Sequence, residues 1–177
     1  MKQFAGKTAV ISGGADGIGR NLAETLGRAG MNIVIADIEA EQLAVARDEL
    51  EAAGIAVLAV EMDVALLEDW QRTAELACER FGKVHMLINN AGVVPTRQQF
   101  TRDGFEMQIG VNYLAPVLLT HLLLPLLQQR EDARVIHVAS VAHWLGRINT
   151  KTWRGRRPYL VMDAYGQSKL ATILFSH

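Results

Sequence analysis

Three side chains near the end of the chain could together move a proton and hold a carbonyl oxygen. Tyr165 and Lys169 are four residues apart, so on a helix both side chains would lie on one face. An ammonium beside a phenol stabilises the phenolate, which would let Tyr165 give or take a proton near neutral pH. Ser140 ends the apolar run ARVIHVAS, and its hydroxyl could hold a substrate oxygen. Each signal is weak alone, because serine is common in loops and YxxxK is a short pattern.

The stretch SGGADGIG, residues 12–19, could hold a phosphate. Gly13, Gly17 and Gly19 stand between an apolar run and an amphipathic helical pattern. Glycine lets backbone N–H groups approach a pyrophosphate, and the N-terminus of the following helix adds its positive end. The GxxxGxG spacing differs from the usual GxGxxG fingerprint, so an ordinary strand-to-helix turn is the alternative. The position directly after the first strand favours dinucleotide binding.

Acidic residues indicate which dinucleotide would bind. Asp37 ends the second apolar run, where a carboxylate could accept hydrogen bonds from both ribose hydroxyls and would repel a 2′-phosphate. Asp16 in the glycine turn is also acidic, and Ile38 rather than Arg or Lys follows Asp37. These residues favour NAD, with NADP as the alternative. Asp37 could instead cap the next helix, and Asp63 could reach an adenine amino group or cap helix 66–81.

Five short apolar runs alternate with helical patterns along the chain. Runs without polar alternation are typical of strands buried on both faces of a parallel sheet. The expected fold class is therefore α/β: a Rossmann-type, doubly wound parallel sheet in three αβα layers with strand order 3-2-1-4-5. The predicted strands are 7–12, 32–37, 55–63, 84–92 and 133–140, and the predicted helices are 17–29, 39–53, 66–81, 103–129 and one that begins near 163. Gly30, Gly54 and Gly82 fall where left-handed helix caps need glycine.

Length and composition favour one ordinary globular domain spanning 1–177. The chain is long enough to bury a core, and a net charge of −1 gives no reason to expect nucleic acid as a partner. The apolar run 113–127 contains a histidine and two prolines, so a core helix and no transmembrane segment are expected. Cys78 has no second cysteine to pair with, and the first strand begins almost at once, so a cytoplasmic protein is expected.

Two further groups of residues have ordinary explanations. The segment 143–162 carries four basic residues around Trp153 and is predicted to be a solvated loop. A substrate lid is compatible with that prediction, and an RNA-binding patch is the remote alternative. The histidines 121, 137 and 143 do not have a metal-ligand spacing with carboxylates, so no metal site is predicted.

In combination these motifs resemble the short-chain dehydrogenase/reductase family, and most closely its retinol dehydrogenase and protochlorophyllide reductase-like branch. The matching pieces occur in family order: SGGADGIG, DV at 63–64, NNAG at 89–92, Asn112, Ser140 and YGQSK at 165–169. DGFEMQIGVNYLAP, SVAHWLGRI and YGQSKLATILFS carry the likeness to the branch. The resemblance implies an NAD(P)-dependent oxidoreductase that transfers hydride between nicotinamide and an alcohol, ketone or aldehyde.

The resemblance also implies roles for individual residues. Tyr165 would be the general acid/base, Lys169 would hold the nicotinamide ribose, and Ser140 would orient the substrate oxygen. Asn112 would anchor a water of a proton relay by way of a helix irregularity. The implied cofactor-binding residues, besides Tyr165 and Lys169, are Ser12, Gly13, Asp16, Gly17, Ile18, Gly19, Asp37, Asp63, Val64, Asn89, Ala91 and Gly92.

The sequence stops at His177, within a helical pattern. By resemblance, a full-length member would continue with a sixth and a seventh strand and with segments that cover the nicotinamide and the substrate. A C-terminally truncated, incomplete domain is therefore expected, and a homo-oligomer is expected of the full-length member. Two functions stay open: an oxidoreductase, and a catalytically weak or inactive dinucleotide-binding or regulatory module. An epimerase or dehydratase of the extended family is a distant third.

Overall fold

The central feature of the protein is a five-stranded sheet with the order β3-β2-β1-β4-β5. The computed structural model describes residues 3–129 and 132–177. The strands are β1 Thr8–Ser12, β2 Asn32–Asp37, β3 Val57–Glu61, β4 Met86–Asn89 and β5 Arg134–His137. β1 pairs in parallel with both β2 and β4, and β2 pairs in parallel with β3. The predicted α/β class, parallel sheet and strand order are confirmed.

The described residues form six α-helical segments, whereas the alternation of patterns predicts five helices, because the predicted helix 103–129 is divided by a π-helical turn. They are α1 Gly17–Arg28, α2 Ala40–Ala52, α3 Leu67–Phe81, α4 Met107–Ile109, α5 Ala115–Leu127 and α6 Val161–Phe175. A π-helical turn, Gly110–Leu114, joins α4 to α5, and 3₁₀ turns occupy Val141–Leu145 and Thr150–Thr152 within the predicted loop. Gly30, Gly54 and Gly82 all have positive φ, which confirms their predicted positions past helix ends.

Several predicted boundaries are wrong by a few residues. The fourth and fifth strands are shorter than the apolar runs that predicted them, because those runs continue into loops. The long helix begins at Met107 rather than near 103, because Phe100 and Glu106 form an antiparallel bridge across an intervening turn. Gly104 sits in that turn with φ +77°. The last helix begins at Val161, slightly before the predicted start.

The described residues divide into two compact units. The first unit comprises those of Met1–Ala91 and Leu119–Ile136, and the second comprises Gly92–Leu118 and His137–His177. The first unit contains β1 to β4, most of β5 and α1 to α3. The second contains the π-helical turn, both 3₁₀ turns and α6.

A hydrophobic cluster lies on one face of the sheet in the first unit. Its buried members include Val10, Val34 and Val60 from successive strands, packed with side chains of α3 and α5 such as Trp70 and Leu119. Because side chains alternate along a strand, the fully buried isoleucines at 33 and 35 lie on the opposite face of β2. Burial on both faces is the reason these strands lack polar alternation.

The apolar helical segment Met107–Leu127 has a length and composition that would suffice to cross a membrane. This is weak evidence, since a core helix of similar composition passes the same test. Leu119, Leu123 and Leu127, spaced four residues apart, are all buried in the hydrophobic cluster of the first unit. This stripe is the buried part of the apolar run, and 39% of the most apolar 18-residue window is buried.

Candidate active site

The glycine turn of the first unit connects β1 to α1, and its backbone packs closely against itself at Gly13 and Gly19. Gly13 and Gly17 have φ of +66° and +55°, a region that favours glycine. A Cβ on Gly19 would overlap the carbonyl oxygen of Gly13, so residue 19 admits no side chain. A Cβ on Gly17 would meet nothing within 4 Å, which leaves the first residue of α1 open to a ligand.

Asn90 holds this turn in place and was not singled out by sequence reasoning. Its side-chain Nδ2 donates to the carbonyl oxygens of Ser12 at 3.0 Å and Gly13 at 2.9 Å. The buried Ser12 hydroxyl accepts the backbone N–H groups of Asn90 and Ala91, both at 3.1 Å. The Ser12 side chain is therefore engaged in joining the ends of β1 and β4. The signal for Asn90 was its place as the second asparagine of NNAG.

The start of α1 fits the pyrophosphate of a dinucleotide. Asp16 is the N-cap residue but makes no side-chain capping hydrogen bond, and the first turn of α1 contains no acidic residue. Ile18, also in this turn, is 62% exposed. Backbone N–H groups without a side-chain cap, at the positive end of a helix, suit a phosphate.

Neither candidate aspartate is an N-cap residue, so the capping alternatives are wrong. The Asp37 carboxylate accepts the N–H of Ala15 at 3.0 Å and of Glu39 at 3.3 Å, and Glu39 is the N-cap of α2. Asp37 thereby ties the glycine turn to the end of β2.

Asp63 lies just after β3 and also stays outside the following helix. Its Oδ1 accepts the N–H of Ala65 at 2.8 Å, whereas the N-cap of α3 is Leu66. The neighbouring Val64 carbonyl accepts the indole N–H of Trp70 at 3.0 Å, which fixes the backbone of this segment.

The end of β4 is anchored within the first unit. Asn89 is buried, and its Nδ2 lies 3.3 Å from the hydroxyl oxygen of Thr120 in α5. Ala91 approaches the glycine turn so closely that a Cβ on Gly13 would lie 2.9 Å from its Cα. The predicted cofactor residues from Ser12 to Ala91 are thus all in one unit, and they surround the ends of β1, β2, β3 and β4.

Tyr165 and Lys169 share one face of α6 in the second unit, as their spacing predicts. The Lys169 Nζ lies 5.8 Å from the centroid of the Tyr165 ring and donates to the carbonyl oxygen of Val138 at 2.9 Å. Lys169 is only 6% exposed, and burial lowers its pKa. Within residues 3–129 and 132–177, no ion pair involves Lys169, so its ammonium is a buried cation without a carboxylate partner.

Asn112 lies in the π-helical turn, which is the kind of irregularity that the resemblance implies. Its Oδ1 accepts the N–H of Val93 at 2.8 Å, and its Nδ2 donates to the Val93 carbonyl and the Ser168 hydroxyl, both at 3.1 Å. The Asn112 carbonyl accepts the hydroxyl of Thr172 at 3.0 Å. Ser168 and Thr172 are both in α6, so these bonds fix Asn112 relative to Lys169. The sequence analysis does not identify Ser168 or Thr172 as site residues.

Ser140 is the N-cap of the first 3₁₀ turn. Its Oγ accepts the N–H of Ala142 at 3.2 Å, and its carbonyl oxygen lies 2.8 Å from the Nδ1 of His143. Gly92 belongs to the same unit. A Cβ on Gly92 would lie 3.3 Å from the Oδ1 of Asn112 and 3.7 Å from the Nζ of Lys169, so residue 92 borders the catalytic candidates.

A buried carboxylate holds the chain that enters α6. Glu106 is 4% exposed, and its two oxygens accept the N–H groups of Gln108 and Ile109 and the hydroxyl of Tyr159, at 2.8 to 3.0 Å. Gln108 donates to the Tyr159 hydroxyl at 2.8 Å and to the Val161 carbonyl at 3.1 Å. Burial, together with the Glu106 charge, raises the pKa of Tyr159 to about 12. Sequence reasoning found none of this network, since its residues follow no pattern.

The structure thus places the predicted site residues in two groups. Asn112, Ser140, Tyr165, Lys169 and Gly92 belong to the second unit, and the remaining cofactor candidates belong to the first. Across the part of the chain that the structure describes, no group of three or more His, Cys, Asp or Glu residues could hold a metal ion.

Comparison with known proteins identifies the family. The model of the short chain dehydrogenase family matches residues 7–177. Retinol dehydrogenase 12 of Mus musculus is 38% identical over 176 residues, which are 98% of this chain and 56% of that protein. Retinol dehydrogenase 11 of Homo sapiens is also 38% identical, over 98% of this chain and 55% of that protein. The chain therefore spans little more than half the length of these relatives.

Solved structures agree with the sequence comparison. A short chain dehydrogenase/reductase from Burkholderia phymatum, crystallised in complex with NAD, is 34% identical and superposes with a TM-score of 0.81. The match covers 99% of this chain and 59% of that one. The chain belongs to the short-chain dehydrogenase family, and it is similar to retinol dehydrogenases 11 and 12 over almost its whole length.

Proposed function

We propose that this chain supplies the dinucleotide-binding turn and the proton-transfer residues of an NAD(P)-dependent oxidoreductase that interconverts an alcohol and a carbonyl compound. The observation that carries the proposal is the buried Lys169 ammonium, 5.8 Å from the Tyr165 ring and without a carboxylate partner in the described residues. Buried cations gain most from a nearby negative charge. The Lys169 charge would therefore stabilise negative charge that develops on the Tyr165 oxygen during proton transfer.

Each residue of the second unit has a distinct part in the proposed reaction. Tyr165 takes the hydroxyl proton from an alcohol, or gives a proton to the oxygen of a carbonyl substrate. Ser140 donates a hydrogen bond to the same substrate oxygen and keeps it within reach of Tyr165. Asn112 keeps the π-helical turn and α6 in register through its bonds to Val93 and Ser168. When bound, the nicotinamide supplies or accepts the hydride.

The first unit would hold the adenosine and pyrophosphate of the cofactor. The uncapped start of α1 suits the pyrophosphate, and the Asp37 carboxylate at the end of β2 suits ribose hydroxyls. NAD is the preferred cofactor because Asp37 and Asp16 would repel a 2′-phosphate, with NADP as the alternative. The NAD complex of the Burkholderia phymatum relative supports a nicotinamide dinucleotide but does not distinguish the two.

A matched pair of tyrosine variants tests the chemistry. Tyr165→Phe removes one hydroxyl and is expected to lower turnover about a hundredfold or more, with saturable NADH binding retained. Tyr113→Phe is the control, because Tyr113 uses its ring against Trp153 and Phe175. Oxidation of alcohols, with retinol among them because of the relatives' names, is followed by NADH absorbance. Equal turnover by the two variants would show that Tyr165 is not the proton-transfer residue.

A matched pair of glycine variants tests the cofactor site. Gly19→Ala would push a methyl group into the Gly13 carbonyl and the Asn90 amide, and it is expected to abolish NADH binding. Gly54 has positive φ, which Gly19 does not, but a Cβ there would meet nothing within 4 Å, so Gly54→Ala should cost about 1 kcal/mol of stability and keep the binding. Titration with NADH and NADPH by nicotinamide fluorescence gives both affinities. Tighter NADPH binding would contradict the Asp37 assignment.

A dinucleotide-binding module without turnover is the second candidate function. It is favoured by one observation: the glycine turn, Asn90, Asp37 and Asn89 are all held by hydrogen bonds within the first unit. Saturable NADH binding with no oxidation of any alcohol by the unmodified chain would select this function over the oxidoreductase.

A further inference from the structure

A cavity lies on the side of α6 opposite to Tyr165 and Lys169. It has a volume of about 470 Å³ and is entirely within the second unit. Its walls are formed by Glu106, Leu145, Arg147, Asn149, Thr152, Arg156, Tyr159, Asp163, Ala164 and Gln167. Tyr165, Lys169 and Ser140 are absent from this lining. The cavity is therefore separate from the residues that carry the proposed reaction.

Helix geometry explains the separation. At about 100° per residue, the α6 residues that line the cavity, 163, 164 and 167, point roughly opposite to Tyr165 and Lys169. One helix thus presents its proton-transfer pair on one face and a cavity wall on the other. A volume of this size is within the usual range for small-molecule pockets.

Most acceptor groups of the cavity wall are already engaged. The buried Glu106 carboxylate accepts three hydrogen bonds from Gln108, Ile109 and Tyr159. The buried Gln167 accepts the N–H of Asn149 at 2.7 Å and donates to the Thr152 hydroxyl at 3.1 Å. These bonds hold the wall in one arrangement and leave it few acceptors for a ligand.

The groups that remain for a ligand are mainly donors. Arg147 makes no hydrogen bond or ion pair with any other residue in 3–129 or 132–177, so its five N–H donors are available to a ligand. Arg156 reaches Asp163 through one nitrogen at 3.3 Å, in an exposed ion pair, and keeps its other donors. Asp163 is the single wall carboxylate that is not buried, and Arg156 offsets its charge.

We infer that this cavity binds a small organic anion, whose carboxylate or phosphate group is held by Arg147 and Arg156. Guanidinium groups bind both anions through paired N–H donors. Leu145 and Ala164 provide apolar wall area for the few carbons of the ligand body. The ligand would contact the turn of α6 that also carries Tyr165, from the face opposite to the phenol.

Calorimetric titration of the 177-residue chain tests the inference. Malonate and glycerol 3-phosphate are the two titrants, at constant ionic strength maintained with NaCl. Saturable binding of either anion is expected, and the tighter of the two distinguishes a carboxylate ligand from a phosphate ligand. Arg147→Gln should weaken that binding about tenfold to a hundredfold, because it removes charge-assisted hydrogen bonds.

Controls separate this cavity from other anion sites. Arg102→Gln changes an exposed arginine of the same unit outside the cavity and should leave the affinity unchanged. The glycine turn is intact in every variant, so binding that survives Arg147→Gln would come from elsewhere and would overturn the inference. Absence of saturation for both anions would also overturn it. Far-ultraviolet circular dichroism checks that each variant is folded. Arg156→Gln is a second, independent variant that should also weaken anion binding.

Discussion

The two units of this protein bury different kinds of side chain. In the first unit the buried residues are overwhelmingly aliphatic, and successive strands contribute Val10, Val34 and Val60 to a single cluster. In the second unit the buried polar residues outnumber the aliphatic ones: Glu106, Gln108, Asn112, Gln167, Ser168, Lys169 and Thr172 against Ile109, Val111, Ala115, Ala142 and Ala171. The first unit is therefore stabilised mainly by apolar burial, and the second by a hydrogen-bonded polar interior.

This difference matches the proposed tasks of the two units. A dinucleotide's phosphates need an open backbone turn, which the apolar sheet positions with the help of a few polar side chains such as Ser12 and Asn90. Proton transfer needs oriented polar groups, and orientation requires that each group has fixed partners. Asn112 shows this clearly, since its amide and carbonyl are engaged by Val93, Ser168 and Thr172.

The largest expected effect comes from opening a cavity in the first unit. Leu119→Ala removes a fully buried side chain from the hydrophobic cluster and should lower the free energy of unfolding by roughly 2–5 kcal/mol. Leu124→Ala, on the same helix but 37% exposed, is the matched control and should cost clearly less. Urea denaturation measures both variants. Equal losses would break the assignment of the first unit's stability to apolar burial.

The next largest effect tests the polar interior of the second unit. Glu106→Gln keeps the shape but replaces one acceptor oxygen by an NH₂ group, which leaves a backbone N–H or the Tyr159 hydroxyl without its partner. We expect a loss of about 2–3 kcal/mol, typical for a buried hydrogen bond to a charged group. Asp103→Asn, at an exposed position in the same unit, should be nearly neutral.

Glu106 also has a consequence for the proposed reaction. Through Gln108 it reaches the Val161 carbonyl at the start of α6, one turn before Tyr165. Glu106→Gln should therefore lower turnover at a temperature where the variant is still fully folded. A fully active Glu106→Gln protein would show that this network stabilises the unit without positioning Tyr165.

The sequence predicts the first unit far better than the second. Apolar runs identify β1 to β3 and glycine spacing identifies the turn, because both follow from local physics. Asn112, Tyr165 and Lys169 were found through motif spacing and family resemblance. Glu106, Gln108 and Ser168 were not, because a buried polar residue follows no periodicity and its partners are remote in sequence. Cofactor preference, cellular compartment and oligomeric state stay predictions.

A smaller effect should appear as a pH response of the second unit. Burial lowers the pKa of His137 from its ordinary value of 6.5, so the folded chain favours the neutral ring. Its contribution to stability is complete above pH 6.5 and decreases as the pH falls through that value, because the unfolded chain then binds the proton more readily.

His137→Phe removes the titration and can retain the edge contact with the Phe175 ring, which lies 5.3 Å away. Thermal midpoints of the unmodified chain should fall more steeply between neutral and mildly acidic pH than those of the variant. Hydrogen exchange should show the difference in α6 and not in α2. Parallel midpoint curves for the two proteins would mean that His137 is not a titrating group of the second unit.

The smallest effect is expected from exposed ion pairs, which occur in both units. The hydrogen bond and charge of Arg28 lower the pKa of Glu24, so this pair contributes above the ordinary carboxyl pKa of 4.5 and its contribution is lost on acidification. Asp163 pairs with Arg156 at 3.3 Å in the second unit, also at the surface. Because solvent and salt screen such pairs, Glu24→Gln and Asp163→Asn should each leave the urea midpoint unchanged within experimental error at physiological salt. A lower urea midpoint for Asp163→Asn alone would show that surface ion pairs also stabilise the second unit. The two units would then differ in how much charge pairing stabilises them, and not only in their buried polar groups.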